Sequence, residues 1–339
     1  MSAKISIIFP MLNGSPYLKR NLDSIKKLKN NSDIELIIVN NNSNDSSVEI
    51  INSYKDSLSI NVINQKENIG FAKASNIGVL KAKGEFIFIT NVDVIFPTNL
   101  FFEKLNAMYE KYKKTNEIII SPAMILERGG IHYFGAKIHA LGFSYTKEIF
   151  KELPENIITK PTLRFSGGSF FMKRDAFISL GGFDQNFFIY YEDTDFSLRS
   201  IRNNMKIYST QDPYLIHQDH ELKLNSFKYY LLERNRFLFF AKNIEGFKKL
   251  IPYFLIVEFI LLIHSILIRK FKFRIIMYCE LIKNYKNIKR IRQKSRNEIK
   301  LIPFQKLSRK LDPCLIGDMK NKKFFEKFLN ILNYFLKLI

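Results

Sequence analysis

A chain of 339 residues with 46% hydrophobic content can build one large α/β domain with an appendage, or two ordinary domains, and this composition excludes wholesale disorder. The net charge of +21 is unevenly spread: residues 246–339 carry 22 Lys/Arg against 6 Asp/Glu, a net of +16, and residues 1–245 carry 31 against 26, a net of +5. Basicity therefore belongs to the C-terminal part, where it suits an anionic membrane, nucleic acid or plain solubility.

In chain order, the first 115 residues alternate strand and helix. Ile5–Phe9 reads as a strand and is too short for the apolar region of a signal peptide. Ser15-Pro16 supplies an N-cap and an early helical Pro, leading a helix to about Leu28. Ile34–Val39 is a second buried strand, followed by the polar turn Asn40–Asp45 and a helix from Ser46. Ile60–Ile63, a helix over Phe71–Ala82, the strand Glu85–Thr90 and a helix over Asn99–Lys113 continue the alternation. Strands spaced by helices predict a mostly parallel sheet with right-handed crossovers. From Ile118 to Thr162 the pattern breaks into short strands and loops. Ser169–Lys173 is a further strand, and Glu192–Asn203 reads as a helix. After Pro213 the chain is expected to be helical, which divides it into a catalytic domain over 1–220 and a basic helical extension over 221–339. Cys279 and Cys314 have no metal-ligand spacing, and reduced cytosolic thiols are expected.

Asp93 ends a strand of four consecutive apolar residues, where open α/β sheets bind ligands. A carboxylate there suits a hard divalent cation, Mg2+ or Mn2+, with a diphosphate completing its oxygen shell. Asn40 to Ser46 can cap the following helix or contact a ligand's ring edge. In Asn68-Ile-Gly70-Phe-Ala-Lys-Ala-Ser-Asn76-Ile-Gly78, Gly70 permits close backbone approach and a helix N-terminus favours an anion. No G-x-G-x-x-G follows strand one, which disfavours nicotinamide binding. Glu192, Asp193 and Asp195 place three carboxylates within four positions. They splay over different helical faces, and first-turn acidic residues also favour a helix N-terminus for structural reasons.

Together these motifs resemble the family 2 glycosyltransferases of GT-A type fold, especially a rhamnosyltransferase-like branch, over roughly residues 4–242. Ile7-Ile-Phe-Pro10-Met-Leu-Asn13 is similar to the family's first strand and nucleotide loop. Asn40–Ser46, with Asn42 and Asp45, is similar to its pyrimidine-contacting segment, and Asn68–Gly78 to its N-x-G-F-A-x-A-x-N-x-G segment. Asn91-Val-Asp93 takes the place of the D-x-D metal motif, with Asn for the first Asp. That departure keeps alive a catalytically inactive scaffold. Ser166-Gly167-Gly168, Gly181–Asp184 and Phe187–Asp195 resemble the acceptor-side motif ending in the E-D pair, whose base the resemblance places at Asp193 with Glu192 as alternate. His217, Arg234 and Arg236 resemble accessory contacts to metal or diphosphate; a packed His and surface Arg charges are the bland alternatives. With no Trp in the chain, the processive Q-x-x-R-W motif is absent, which favours single-sugar transfer. The resemblance implies an inverting transfer from a dTDP- or UDP-linked sugar to a lipid-linked saccharide.

In the extension, Ile251–Ile268 is nearly all apolar but interrupted by Glu258 and His264, and basic residues flank both ends. A helix partly sunk into a bilayer face is expected over a full span. Residues 322–337 place Phe324, Phe328, Ile331, Leu332 and Phe335 on one helical face opposite Lys323, Lys327 and Lys337. That pattern predicts peripheral or monotopic attachment to the cytoplasmic face of an anionic membrane, with a terminal helix docked on the protein's own core as the alternative. A nucleic-acid partner is not expected, because the cations lack interleaved aromatic platforms or a readout motif.

Overall fold

A computed structural model describes residues 5–139, 141–146, 149–218, 224–244 and 250–298. The chain forms two compact units, one from residues 1–136 and 148–220, the other from 137–147 and 221–339. A single cut near residue 220 cannot express this, since an eleven-residue insert joins the second unit. The strands are β1 Ile5–Met11, β2 Ile34–Asn40, β3 Ile60–Asn64, β4 Phe86–Thr90, β5 Val94–Ile95, β6 Ile118–Leu126, β7 Ile131–Tyr133, β8 Lys137–Ile138, β9 Ser144–Tyr145, β10 Thr159–Pro161, β11 Ser169–Lys173 and β12 Lys206–His217.

All but β8 and β9 join one ten-stranded sheet of order β10-β12-β6-β11-β4-β1-β2-β3, with β5 on β12 and β7 on β6. The run β3-β2-β1-β4 is parallel. Strand order reverses between β1 and β4, which opens a crevice at their carboxyl ends. Strand β11 then lies antiparallel between β4 and β6. Helices α1 Ser15–Lys26, α2 Ser47–Asn52, α3 Gly70–Lys81, α4 Phe101–Tyr112, α5 Arg174–Ser179 and α6 Glu192–Arg202 belong to this unit.

Apolar cover on both faces explains why β4 is an unbroken hydrophobic run. Phe88 meets Phe101 and Phe102 edge-on, each with ring centroids 5.5 Å apart. On the other face Ile87 and Ile89 join a core with Phe165, Phe170, Phe177, Phe183 and Phe196. The expected helix after Pro213 is corrected: β12 runs on to His217, parallel to β6, with a register shift between Thr210 and Tyr214. The shift admits Pro213 without requiring a ladder hydrogen bond from its missing N–H.

In the second unit, α7 Ser226–Asn243, α8 Ile251–Leu267, α9 Phe271–Lys283 and α10 Tyr285–Glu298 follow one another. Among the described residues no helix is long and apolar enough to cross a membrane. Residues 322–337 lie outside the described residues.

Candidate active site

Strand pairing assembles the first part of the site. The β5–β12 ladder sets His217 opposite Val94, so the imidazole stands beside the neighbouring Asp93. Asp93 Oδ2 and His217 Nε2 are 3.5 Å apart, with the side chains 17% and 4% exposed. The Gln218 backbone N–H donates to the Asp93 carbonyl at 2.8 Å and ties the two segments together. His217 Nδ1 lies 3.1 Å from the Gln218 carbonyl, which can only accept; Nδ1 therefore carries a proton. A carboxylate oxygen and an imidazole nitrogen this close fit a shared divalent cation whose other ligands come from a diphosphate. Among the described residues no group of three or more His, Cys, Asp or Glu side chains could hold a metal by itself. The ring of His132 packs edge-on against His217 with centroids 4.4 Å apart, a support the sequence gave no motif to find.

Antiparallel pairing of β11 with β4 brings in the acidic pair. Ser169 is opposite Thr90, so the Gly167-Gly168 step passes over the end of β4. A Cβ on Gly168 would lie 2.8 Å from Asn91 Nδ2, and one on Gly167 would lie 3.2 Å from Glu192 Oε1. Two glycines thus allow Asn91, in the first position of the metal motif, and the carboxylates of α6 to share one sheet edge. Thr90 Oγ1 donates to the Gly168 carbonyl at 2.8 Å and fixes that step.

The two carboxylates differ sharply. Asp193 Oδ2 accepts from Arg164 Nη1 at 2.8 Å and from the Gly167 N–H at 3.1 Å. Its Oδ1 accepts from the Thr194 N–H at 2.6 Å and the Thr194 hydroxyl at 3.1 Å. These four bonds fill the roughly four lone-pair sites of a carboxylate. Glu192 is 4% exposed, and its buried Oε2 has no hydrogen-bond partner. Burial, followed by the neighbouring Asp193, pushes its pKa well above the ordinary value. Within the pair, Glu192 is thus left with one unbonded carboxylate oxygen, whereas both oxygens of Asp193 are taken. Arg164, in a stretch without a recognisable motif, was not foreseen. Before α6, Phe188, Tyr190 and Tyr191 all have positive φ, of 63°, 70° and 73°. Three bulky residues in that region mark a strained approach to the acidic pair.

The polar loop after β2 is ordered by its own contacts. Asn40 donates to Asn64 Oδ1 at 3.0 Å and accepts from the Ser43 N–H at 2.9 Å. Asn13 accepts from the Asn44 N–H at 3.0 Å, while its own N–H donates to Ser43 Oγ at 2.9 Å. Pro10 stands opposite Val39 in the β1–β2 ladder, and Asn42 is exposed with φ 64°. Asp45 accepts from the Ser15 N–H at 3.0 Å and the Ser47 N–H at 3.1 Å. Burial opposes its charge, but bonds from Ser47 and Ser15 outweigh it and hold the pKa at about 2. These residues form one rim at the carboxyl ends of β1 and β2.

Five residues assigned to the site from the sequence carry contacts within the fold. Gly70, with φ +81°, makes room for Phe188, whose carbonyl accepts from the Ala72 N–H at 3.0 Å. That helix N-terminus is bonded by the protein's own backbone, and Asn68 Oδ1 takes the Gly70 N–H at 3.0 Å. Asn76 clamps Phe183, bonding its carbonyl and its N–H at 2.8 Å each, so its amide is committed to the fold. Asp195 is fully buried and accepts from Arg199 Nε at 2.9 Å. Arg199 in turn holds the Leu180 and Gly182 carbonyls, so Asp195 braces a loop and does not face an acceptor. Arg234 pairs with Glu280 at 3.0 Å. Arg236 is buried and pairs with Glu233 at 3.1 Å and with Glu258. Both guanidiniums are engaged by carboxylates within the second unit.

Residues 6–181 match the model described as glycosyl transferase family 2, and residues 147–221 match the N-terminal domain of galactosyltransferase. The chain is 27% identical over 190 residues to the low-salt glycan biosynthesis hexosyltransferase Agl10 of Haloferax volcanii, covering 52% of this chain and 60% of that one. It is 22% identical over 227 residues to the O-antigen biosynthesis protein RfbC of Myxococcus xanthus, covering 64% of this chain and 17% of that one. The chain thus spans less than two thirds of the length of either relative. Among solved structures, GalNAc-T7 with UDP, GalNAc and Mn2+ superposes with a TM-score of 0.59 at 17% identity, over 73% of this chain and 49% of that one. TarS 1-349 of S. aureus in complex with UDP gives 0.50 at 17% identity, over 71% and 66%. These likenesses show a GT-A fold. The family match runs from the first strand to Gly181 and takes in more than half of the chain, so the protein belongs to glycosyl transferase family 2.

Proposed function

We propose that the chain is an inverting glycosyltransferase that moves one sugar from a nucleotide-diphosphate donor, UDP- or dTDP-linked, to a saccharide acceptor. The supporting observation is the meeting of Asp93 with His217 at the end of β4, beside the Gly167-Gly168 step that leads to Glu192 and Asp193. When bound, a divalent cation supplies positive charge against the leaving diphosphate. Asp93 and His217 would hold it, and the rim from Asn13 to Asp45 faces the nucleotide. Glu192 takes the proton of the attacking hydroxyl, because its Oε2 carries no hydrogen bond while the oxygens of Asp193 are taken. Asp193, locked by Arg164 and the Gly167 N–H, fixes the acidic pair and adds the charge that keeps Glu192 basic. Attack assisted by one base on the face opposite the diphosphate inverts the anomeric carbon.

GalNAc-T7 and TarS were solved with UDP, and the curated relatives are named for glycan and O-antigen synthesis. These names support a pyrimidine nucleotide sugar and a cell-surface glycan, lipid-linked during assembly. The charge of the extension supports attachment to an anionic membrane at its cytoplasmic face. Thermal shift of the full chain against UDP-, dTDP- and GDP-sugars with Mn2+ or Mg2+ tests the donor. Stabilisation by a UDP- or dTDP-sugar only with metal is expected, and none by any nucleotide sugar rejects the proposal.

A further inference from the structure

The second unit contains a groove of about 440 Å3, a volume within the usual range for small-ligand sites. Phe237 and Ala241 of α7, Tyr278 and Leu281 of α9, and Tyr285 and Ile288 of α10 line it. One lining residue, Tyr278, is held by a buried charge cluster. Glu258 accepts from Arg274 Nη2 and from the Tyr278 hydroxyl at 2.8 Å each, and also pairs with Arg236. The Tyr278 hydroxyl is thereby occupied, which leaves the ring as its contribution to the groove wall. Phe237 stands edge-on to that ring, with centroids 5.9 Å apart.

The rim combines the two chemistries of a lipid. Ile282 is 75% exposed, and exposed Leu255, Phe259, Ile263 and Leu267 extend the apolar surface of this unit along α8. Lys283 of α9 and Lys286, Lys289 and Arg290 of α10 are exposed beside it. A purely apolar peptide helix would use the walls and leave the cations unmatched. A hydrocarbon chain with a phosphate at its head uses both.

We infer that the groove between α7, α9 and α10 holds one hydrocarbon chain of an anionic bilayer lipid, with the cations at the end of α9 and along α10 receiving its phosphate. This deepens the membrane attachment proposed above and rests on it. Bound this way, a lipid would tether the second unit without a transmembrane helix.

The test uses the full chain carrying Tyr285→Trp, which gives a protein without native Trp a unique fluorophore on the rim. Titration with dihexanoyl phosphatidylglycerol, kept monomeric below its micellar concentration, should give a saturable change in emission. Ala241→Phe on that background should weaken it by at least about tenfold, a loss of about 1.4 kcal/mol. Should Ala241→Phe fail to fold, Ile288→Asp on the half-exposed wall serves in its place with the same expectation. Lys286→Glu with Lys289→Glu should weaken it about tenfold or more, and dihexanoyl phosphatidylcholine should bind correspondingly less well. No saturable response, or equal affinity with the groove filled, overturns the inference. Pelleting of the unmodified chain with phosphatidylglycerol vesicles separates the two levels. Pelleting without monomeric lipid binding rejects the groove and leaves the attachment standing. Lipid binding without pelleting rejects the attachment and leaves the groove.

Discussion

Two adjacent carboxylates at the start of α6 have opposite environments, and that difference makes the catalytic assignment testable residue by residue. Glu192→Gln should leave the fold intact and lower kcat by a factor on the order of 10² to 10⁴ in a transfer assay. Asp193→Asn removes the anion that pairs Arg164, and should chiefly cost stability, seen as a lowered Tm. A folded but inactive Asp193→Asn beside an active Glu192→Gln would return the base to Asp193. The raised pKa of Glu192 adds a pH signature. The folded state binds this proton more tightly than the unfolded state, so its contribution to stability is complete below the ordinary value of 4.5 and is lost as pH rises through the raised pKa. The neutral Gln variant escapes that loss. Its Tm advantage over the parent should be near zero at pH 4 and positive at pH 8, with each kcal/mol worth about 2–4 °C for a unit of this size. At the other end of the site, Asp93→Asn and His217→Ala should each weaken metal-dependent donor binding while metal-free binding of the nucleotide changes little. Titrating donor with and without Mn2+ reads this directly, and unchanged metal dependence in both variants would remove them from the cation site.

At the scale of elements, glycines and buried ion pairs set the tolerances. Gly70→Ala would put a Cβ 2.5 Å from the Phe188 ring at a residue whose φ is +81°. Both effects act against folding, and a loss well above 1 kcal/mol is expected in denaturant titration. In the second unit, Glu258 stands in a largely apolar helix because Arg236 and Arg274 meet it there. Burial works against its charge, but those two arginines outweigh it and hold its pKa below the usual carboxylate range. The stability it contributes is therefore present above the ordinary value of 4.5 and is lost as pH falls through the lowered pKa. Glu258→Leu would leave two buried guanidiniums short of a partner and should cost about 3–5 kcal/mol. Loss of α8–α9 hydrogen-exchange protection would register it, with the sheet unit unaffected.

At the scale of the molecule, charge and chemistry are divided between the units. The residues matched to the family, 6–181, lie chiefly in the sheet unit, while the +16 of residues 246–339 lies in the second one. Attachment to anionic vesicles should therefore fall as salt rises without vanishing, since screening does not reach a buried apolar face. Deleting 322–339 should release part of the protein and slow transfer to a lipid-linked acceptor more than to a water-soluble analogue. Aggregation of the truncated chain with unchanged vesicle binding would assign that segment to the protein's own core.

Local pattern alone determined much of this protein. The apolar run before Asn91, the Gly-rich opening of α3 and the spacing of strands by helices gave the fold class, because burial on both faces of a parallel sheet leaves a periodic trace. The motif order likewise singled out Asp93, His217, Glu192 and Asp193 as candidates before any of them had a neighbour. Only tertiary structure decided what each one touches. Asn76, Asp195 and Arg236 carry the same polar groups as site residues, and the partners that commit them to the fold lie as far as 107 residues away. Arg164 shows the converse: one guanidinium in a motif-free stretch distinguishes the two carboxylates, because it meets Asp193 29 residues along the chain. Sequence pattern records which face of an element is buried, whereas a polar side chain's role depends on the lone pairs and protons that folding brings to it.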